Sequence, residues 1–314
     1  MRIGIAVDSA CDLPHEFIVQ NRIQILPITI HLDGRDFVDT RDPEDTQKFY
    51  DDHLTGAADA GTSPFSVEQI KNVFLSKLVL DYDFVFCLTI ASSRSPIYEN
   101  ATKASFAILN DYKAVRAKAG VSGPFALRVI DSQNLFAGQA ITAVEAVRLI
   151  KQGMPPNKIR ERLEYIVQNT YGYMVPRDLH YIRARAQKKG DRSVGWFSVV
   201  LGSALDIKPL LRAFRNETGP VAKLRHFDEA SEKCFGYLKR LIVNKKLLTP
   251  TLALGYGGKL EEMEKLPGYA DLIATCKNHN IEVFRSVMSI TSVVNVGEGS
   301  LAFAVAASEH DLDL

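Results

Sequence analysis

Ile3-Gly4-Ile5-Ala6-Val7-Asp8-Ser9-Ala10-Cys11-Asp12-Leu13-Pro14 is a short apolar run that stops abruptly at acidic and small residues. Five apolar or small residues in a row, without alternation, are the pattern of a strand buried on both faces, as in a parallel sheet covered by helices. The Asp-Ser-Ala-Cys-Asp segment then turns the chain into a short helix after Pro14. Working outward, the same pattern returns. Ile23–Ile30 is a second β-rich stretch closed by Asp33-Gly34, Phe84–Thr89 is another buried strand, and Ala126–Asp131 a further one. Helices fall between them. Asp42-Pro43 places a capping side chain before a first-turn proline, Ser66-Val67-Glu68-Gln69 is a capping box, and Ser95-Pro96 opens a helix through Ala101, Ala104, Phe106 and Ala107. Two more helices are expected at about Gly138–Gln152 and Pro156–Asn169. This alternation predicts an α/β fold with a mainly parallel sheet.

The second half has a different pattern. Ile207–Phe214 and Pro220–Phe227 read as strands joined through Asn216-Glu217-Thr218-Gly219, a hairpin signal. A helix over about Asp228–Lys245, a strand at Leu252–Tyr256, a helix around Asp271–Asn280 and strands at Ile281–Arg285 and Leu301–Ala307 follow. The expectation is an N-terminal α/β domain over 1–169 and a C-terminal α+β domain over 170–314, with the boundary near Thr170.

Composition removes several function classes. Lys and Arg number 38 against 37 Asp and Glu, for a net charge of +1, so no global field favours a nucleic acid or an anionic membrane. Lys188, Lys189 and Arg192 form the one local basic run, which reads as a solvated loop. Cys11, Cys87, Cys234 and Cys276 are far apart and form no C-x-x-C pair, which fits neither a zinc site nor a disulfide framework. The seven histidines show no metal-ligand spacing. No signal peptide and no apolar stretch of spanning length is apparent, so a soluble cytoplasmic protein is expected. Gly255-Tyr256-Gly257-Gly258-Lys259 lacks the spacing of a phosphate loop and reads as a strand-exit turn. Asp8 and Asp12 read as turn and cap residues rather than a catalytic pair, and Trp196, Phe197 and Val199–Leu201 as core.

Several segments, in order, resemble the DegV family of fatty-acid-binding proteins. Asp8–Pro14 resembles its N-terminal motif, and Thr62-Ser63-Pro64-Phe65-Ser66 its T-S-x-P-S segment with the proline displaced by one. Ser92–Ala101 is similar to S-x-L-S-G-T-Y-x-x-A, Val129–Ser132 to the next strand end, and Asp206–Leu211 to the I-K-P-I-L run. The resemblance implies two lobes clasping one long-chain fatty acid, with no cofactor and no catalytic base. A separate fatty acid kinase would phosphorylate the bound acid. The residues it points to as ligand-binding are Thr62, Ser63, Ser95, Asn295 and Arg192. Read without the resemblance, Thr62 and Ser63 shape a loop and Ser95 a helix start, where free backbone N–H groups favour an anion. Burying a sixteen-carbon tail is worth on the order of 10 kcal/mol before association costs, at about 0.8 kcal/mol per methylene.

The sequence departs from that family where charge chemistry would sit. Ser95-Pro96-Ile97 replaces S-G-T, Gly190-Asp191-Arg192 replaces G-G-R, and Asn295-Val296-Gly297-Glu298-Gly299 replaces H-T-G-P-G. Two functions remain open: a noncatalytic fatty-acid carrier, or an enzyme or sensor using the altered polar site for another small ligand. A long apolar tunnel favours the first, and a short polar cleft with clustered acids the second.

Overall fold

In a computed structural model, residues 1–189 and 206–314 are described. Among them the strands are, in chain order, β1 (Ile3–Asp8), β2 (Gln24–Leu26), β3 (Ile28–Leu32), β4 (Arg35–Asp39), β5 (Gly61–Pro64), β6 (Phe84–Thr89), β7 (Ala126–Asp131), β8 (Thr170–Val175), β9 (Ile207–Phe214), β10 (Glu217–Arg225), β11 (Thr251–Tyr256), β12 (Glu282–Val287) and β13 (Leu301–Ala306). They make three sheets, ordered β2-β1-β6-β7, β4-β3-β5 and β10-β9-β8-β13-β11-β12.

The first sheet is wholly parallel, as the buried apolar runs require. The third is mixed: β11 and β12 run parallel, and its other neighbours are antiparallel. The second, antiparallel sheet was not anticipated. Its origin is Pro27. The Ile23–Ile30 stretch reads as one strand, but a proline has no N–H for the ladder. The chain therefore leaves the parallel sheet after Leu26 and starts a new one at Ile28.

Other boundaries shift for local reasons. The hairpin turn lies at Arg215-Asn216, both with positive φ (50° and 66°), and Glu217 already belongs to β10. Successive positive φ values make a primed turn, whose twist matches paired strands. Thr62 and Ser63 lie in β5 rather than in a loop, paired to Ile30 and Thr29. A helix at Ile290–Val296 was not expected, because its β-branched run favours a strand by local preference. Ser289 starts it by accepting from Ser292 N, and burial of most of its residues overrides propensity.

Helix Ala137–Lys151 lies at the centre. It packs against β1 and β6 on one side and β8, β11 and β13 on the other. Ala140, Ala143 and Ala146 leave room for both sheets to approach, and all three are fully buried. All four cysteines are buried and unpaired. Among the described residues, no helix is long and apolar enough to cross a membrane.

Candidate functional site

Strand β1 is the topological switch of the parallel sheet: its neighbours are β2 on one side and β6 on the other. The carboxyl ends of strands at such a point diverge and leave a crevice. Asp8 is the last residue of β1 at this point. Its Oδ1 accepts from Ala10 N (3.1 Å), and its Oδ2 accepts from Ile90 N (2.6 Å) and Gln139 Nε2 (3.1 Å). The acid of the N-terminal motif thus fixes the end of β1 to the end of β6 and to the central helix. Desolvation pushes its pKa up to about 6.

Beside Ile90, which Asp8 holds, lies a cavity of about 180 Å³. Ile28 of β3, Thr62 and Pro64 of β5, and Ile90, Arg94, Ser95 and Pro96 after β6 contribute one part of its wall. Met174 of β8, Leu211 of β9 and Thr218–Pro220 of β10 contribute another, and helices Leu179–Lys189 and Ile290–Val296 complete it. Phe136 lines it from a backbone with φ 51°, a costly conformation for an aromatic residue, just before the central helix begins.

Three of the five residues singled out in the sequence line this one cavity: Thr62, Ser95 and Asn295. Ser95 Oγ accepts from Ile97 N at 3.3 Å. Asn295 Nδ2 donates to Thr291 O at 2.7 Å. Ser63 is not among the lining residues. Successive strand residues face opposite ways, and Ser63 Oγ meets His31 Nε2 at 2.6 Å, while His31 Nδ1 meets Asp36 Oδ1 at 2.6 Å. The order Asp36–His31–Ser63 is that of a hydrolase relay. His31 and Asp36 are nevertheless exposed on the sheet surface, at 46% and 67% of their side chains, and none of the three lines the cavity. They read as a cross-strand clamp. Arg192, with Asp191 and Trp196, lies outside the described residues.

Sequence reading missed Arg185 and Thr291. Arg185 is 3% exposed and lines the cavity. Its Nη1 donates to Ala58 O (3.2 Å) and to Ala60 O, and its Nη2 donates to Asn295 Oδ1 (2.9 Å). The only sequence signal was an arginine inside an otherwise ordinary helix, which looks solvent-facing. Thr291 donates its hydroxyl to Asp39 Oδ2 (2.7 Å) and also contacts Ser9 Oγ (3.2 Å). Asp12, the other acid of the N-terminal motif, accepts from Ser289 N (2.9 Å) and Ser292 Oγ (3.0 Å). These acids position the helix carrying Thr291 and Asn295. Gly257 serves as a strand exit, packed on the turn at Gly297–Ser300 with Gly257 N donating to Ser300 O.

Comparison with known proteins is consistent over the whole chain. A family model described as uncharacterised protein, DegV family, matches residues 2–308. A DegV domain-containing protein of Xanthomonas campestris is 57% identical over 311 residues, covering 99% of each chain. A protein of Thermotoga maritima named fatty acid-binding protein is 27% identical over 319 residues, again 99% of each. The crystal structure of a DegV family protein from Eubacterium eligens, loaded with heptadecanoic acid, superposes with a TM-score of 0.75 at 18% identity. It covers 98% of this chain and all of that one.

Proposed function

The chain belongs to the DegV family, and from that premise we propose that it is a noncatalytic carrier of a long-chain fatty acid, with lobes divided at Asn169-Thr170. The observation that carries this reading is the make-up of the cavity. Its wall is mostly apolar, with Thr62, Ser95, Thr218, Thr291, Asn295, Arg94 and Arg185 as hydrogen-bonding groups. Its described lining residues include no carboxylate, histidine or cysteine. Such a wall receives an acyl chain and orients a polar head, but offers no general base or nucleophile of ordinary reactivity. The fatty acid-binding name of the Thermotoga relative and the heptadecanoic acid in the Eubacterium structure support the ligand class. In this reading Thr62, Ser95 and Asn295 face the head group. Phosphorylation of the bound acid, where it occurs, belongs to a separate kinase.

The test is native mass spectrometry of the protein as purified, followed by organic extraction and lipid analysis. One long-chain fatty acid per chain is expected. Failure of delipidated protein to take up radiolabelled hexadecanoic acid at roughly micromolar concentration, equivalent to about 8 kcal/mol of binding, refutes the reading.

A further inference from the structure

We propose that Arg185 is the fixed positive charge that holds the carboxylate of the bound acid, so that the cavity selects ionised acyl chains over neutral ones of equal length. This inference rests on the carrier reading above and names the group that sets its head-group selectivity.

Arg185 is 3% exposed, and its described hydrogen-bond partners include no carboxylate; Asp59 is the acid whose charge is felt there. Its three described hydrogen bonds all go to neutral acceptors: Ala58 O, Ala60 O and the side-chain amide oxygen of Asn295. A guanidinium carries five N–H donors and does not lose its proton in proteins. Two donors are therefore left over, and one of them, Nε–H, is buried with no partner among the described residues. Buried charges are ordinarily paired, because an isolated one gives up its hydration without return. The desolvation is felt at Arg185 itself, where burial draws its pKa down.

The unpaired cation also has a direction. It lines the same cavity as Thr62, Ser95 and Asn295, and none of the described lining residues is an acid; the other described lining arginine, Arg94, is exposed to solvent, which leaves Arg185 as the buried charge. A carboxylate entering there supplies both the missing counter-charge and acceptors for the unused donors, a combination that guanidinium and carboxylate satisfy with shared planar geometry. Asn295 fits this role through its neutrality. Its Oδ1 accepts from Arg185 while its Nδ2 donates to Thr291 O at 2.7 Å, so the amide is fixed from both ends and steadies the arginine without cancelling its charge. An aspartate at 295 would keep the volume and provide the counter-ion internally.

The experiment compares hexadecanoic acid with hexadecanol on delipidated full-length protein by titration calorimetry, for the parent, Arg185→Met and Asn295→Asp. Circular dichroism confirms folding of each. The parent is expected to bind the acid more tightly than the alcohol. Both variants should lower the acid-to-alcohol affinity ratio by about tenfold or more, the usual weight of a charged hydrogen bond. Should Arg185→Met not fold, Asn295→Asp carries the test by itself. An unchanged ratio in the folded variants, or an equal loss for both ligands, makes Arg185 a wall residue and overturns the inference while leaving the carrier reading intact. A parent that binds neither ligand removes the carrier reading, and this inference with it.

Discussion

Arg41 and Asp12 face each other with guanidinium Nη1 at 3.6 Å from carboxylate Oδ1, both side chains almost wholly buried. Around this contact the first forty residues are tied to the last thirty. Arg41 Nη2 donates to Leu13 O (2.8 Å) and to Ser286 Oγ (3.0 Å), and Asp39 receives both the N–H and the hydroxyl of Thr291. Two buried acids thus share one arginine, and the helix that carries cavity-lining Thr291 and Asn295 hangs from the cluster.

Removing the arginine should therefore cost much more than a surface charge. Arg41→Met keeps the apolar stem but leaves Asp12 and Asp39 buried without their counter-ion. A loss of about 3 kcal/mol is expected, as for a broken buried pair. Urea denaturation at neutral pH measures it. A midpoint equal to the parent's would mean that the cluster does not clamp the two ends together.

The buried acids at this end of the molecule give a pH dependence of definite sign. Desolvation lifts Asp8 and Asp12 to about 6, against 3.8 for a free aspartate. A carboxyl raised in the folded state binds its proton more tightly there. Its contribution to stability is complete below the unfolded value and is lost as pH rises through about 6. Each should add about 1 kcal/mol between pH 7 and pH 5. Asp83 works the other way, held well below the usual range by its hydrogen bonds to Arg2 and then Arg116, but its contribution fails only under more acidic conditions. Burial raises Asp39 as well, so the unfolding free energy should be higher at pH 5 than at pH 7, and Asp8→Asn should remove part of the difference, the rest staying with Asp12 and Asp39. A parent no more stable at pH 5 would contradict the burial of these charges.

The parallel sheet was legible because a strand buried on both faces writes itself as an unbroken apolar run, as Ile3–Val7 and Phe84–Thr89 do. The small antiparallel sheet was not, since β3 continues the apolar run of β2 and only Pro27 divides them. Thr62, Ser95 and Asn295 could be singled out from the motif resemblance, and they do share one cavity. Ser63 shows the limit of motif reading: adjacent strand residues face opposite ways, and periodicity over a segment as short as Gly61–Pro64 is too weak to show it. Arg185 was illegible for a deeper reason. Its importance comes from what surrounds it, and nothing local in Leu179–Lys189 says that residue 185 is buried.

Gly172 marks another relationship invisible in sequence. A Cβ there would stand 2.2 Å from Asn134 Oδ1, while Asn134 Nδ2 donates to Thr170 O (2.9 Å) and Ala213 O (3.1 Å). That asparagine joins the loop after β7 to β8 and β9, so it cannot retreat without losing both bonds. Gly172→Ala should destabilise by about 2 kcal/mol or more, as overpacked interiors do. Gly219, with open space where a Cβ would stand, is the contrast, and Gly219→Ala should change stability by less than about 0.5 kcal/mol. Thermal melts of the two variants side by side decide the matter, and similar melting temperatures would refute it.

Thr62 and Ser63 are neighbours in β5 whose surroundings differ completely, and this separates binding from scaffolding within one dipeptide. Thr62 lines the cavity, whereas Ser63 Oγ is engaged with His31 Nε2 at 2.6 Å. Thr62→Val preserves the shape of the side chain and deletes the hydroxyl, so hexadecanoic acid should bind more weakly by about 1 kcal/mol, the net worth of one hydrogen bond. Ser63→Ala breaks the contact with His31 and should leave the affinity within about 0.3 kcal/mol, as expected for a change at a half-buried site that does not line the cavity. Displacement of a fluorescent fatty acid measures both. Were Ser63→Ala to weaken binding and Thr62→Val not, the head group would have to sit on the outer face of the sheet, beside His31 and Asp36. The cavity would then not be where the carboxylate is held.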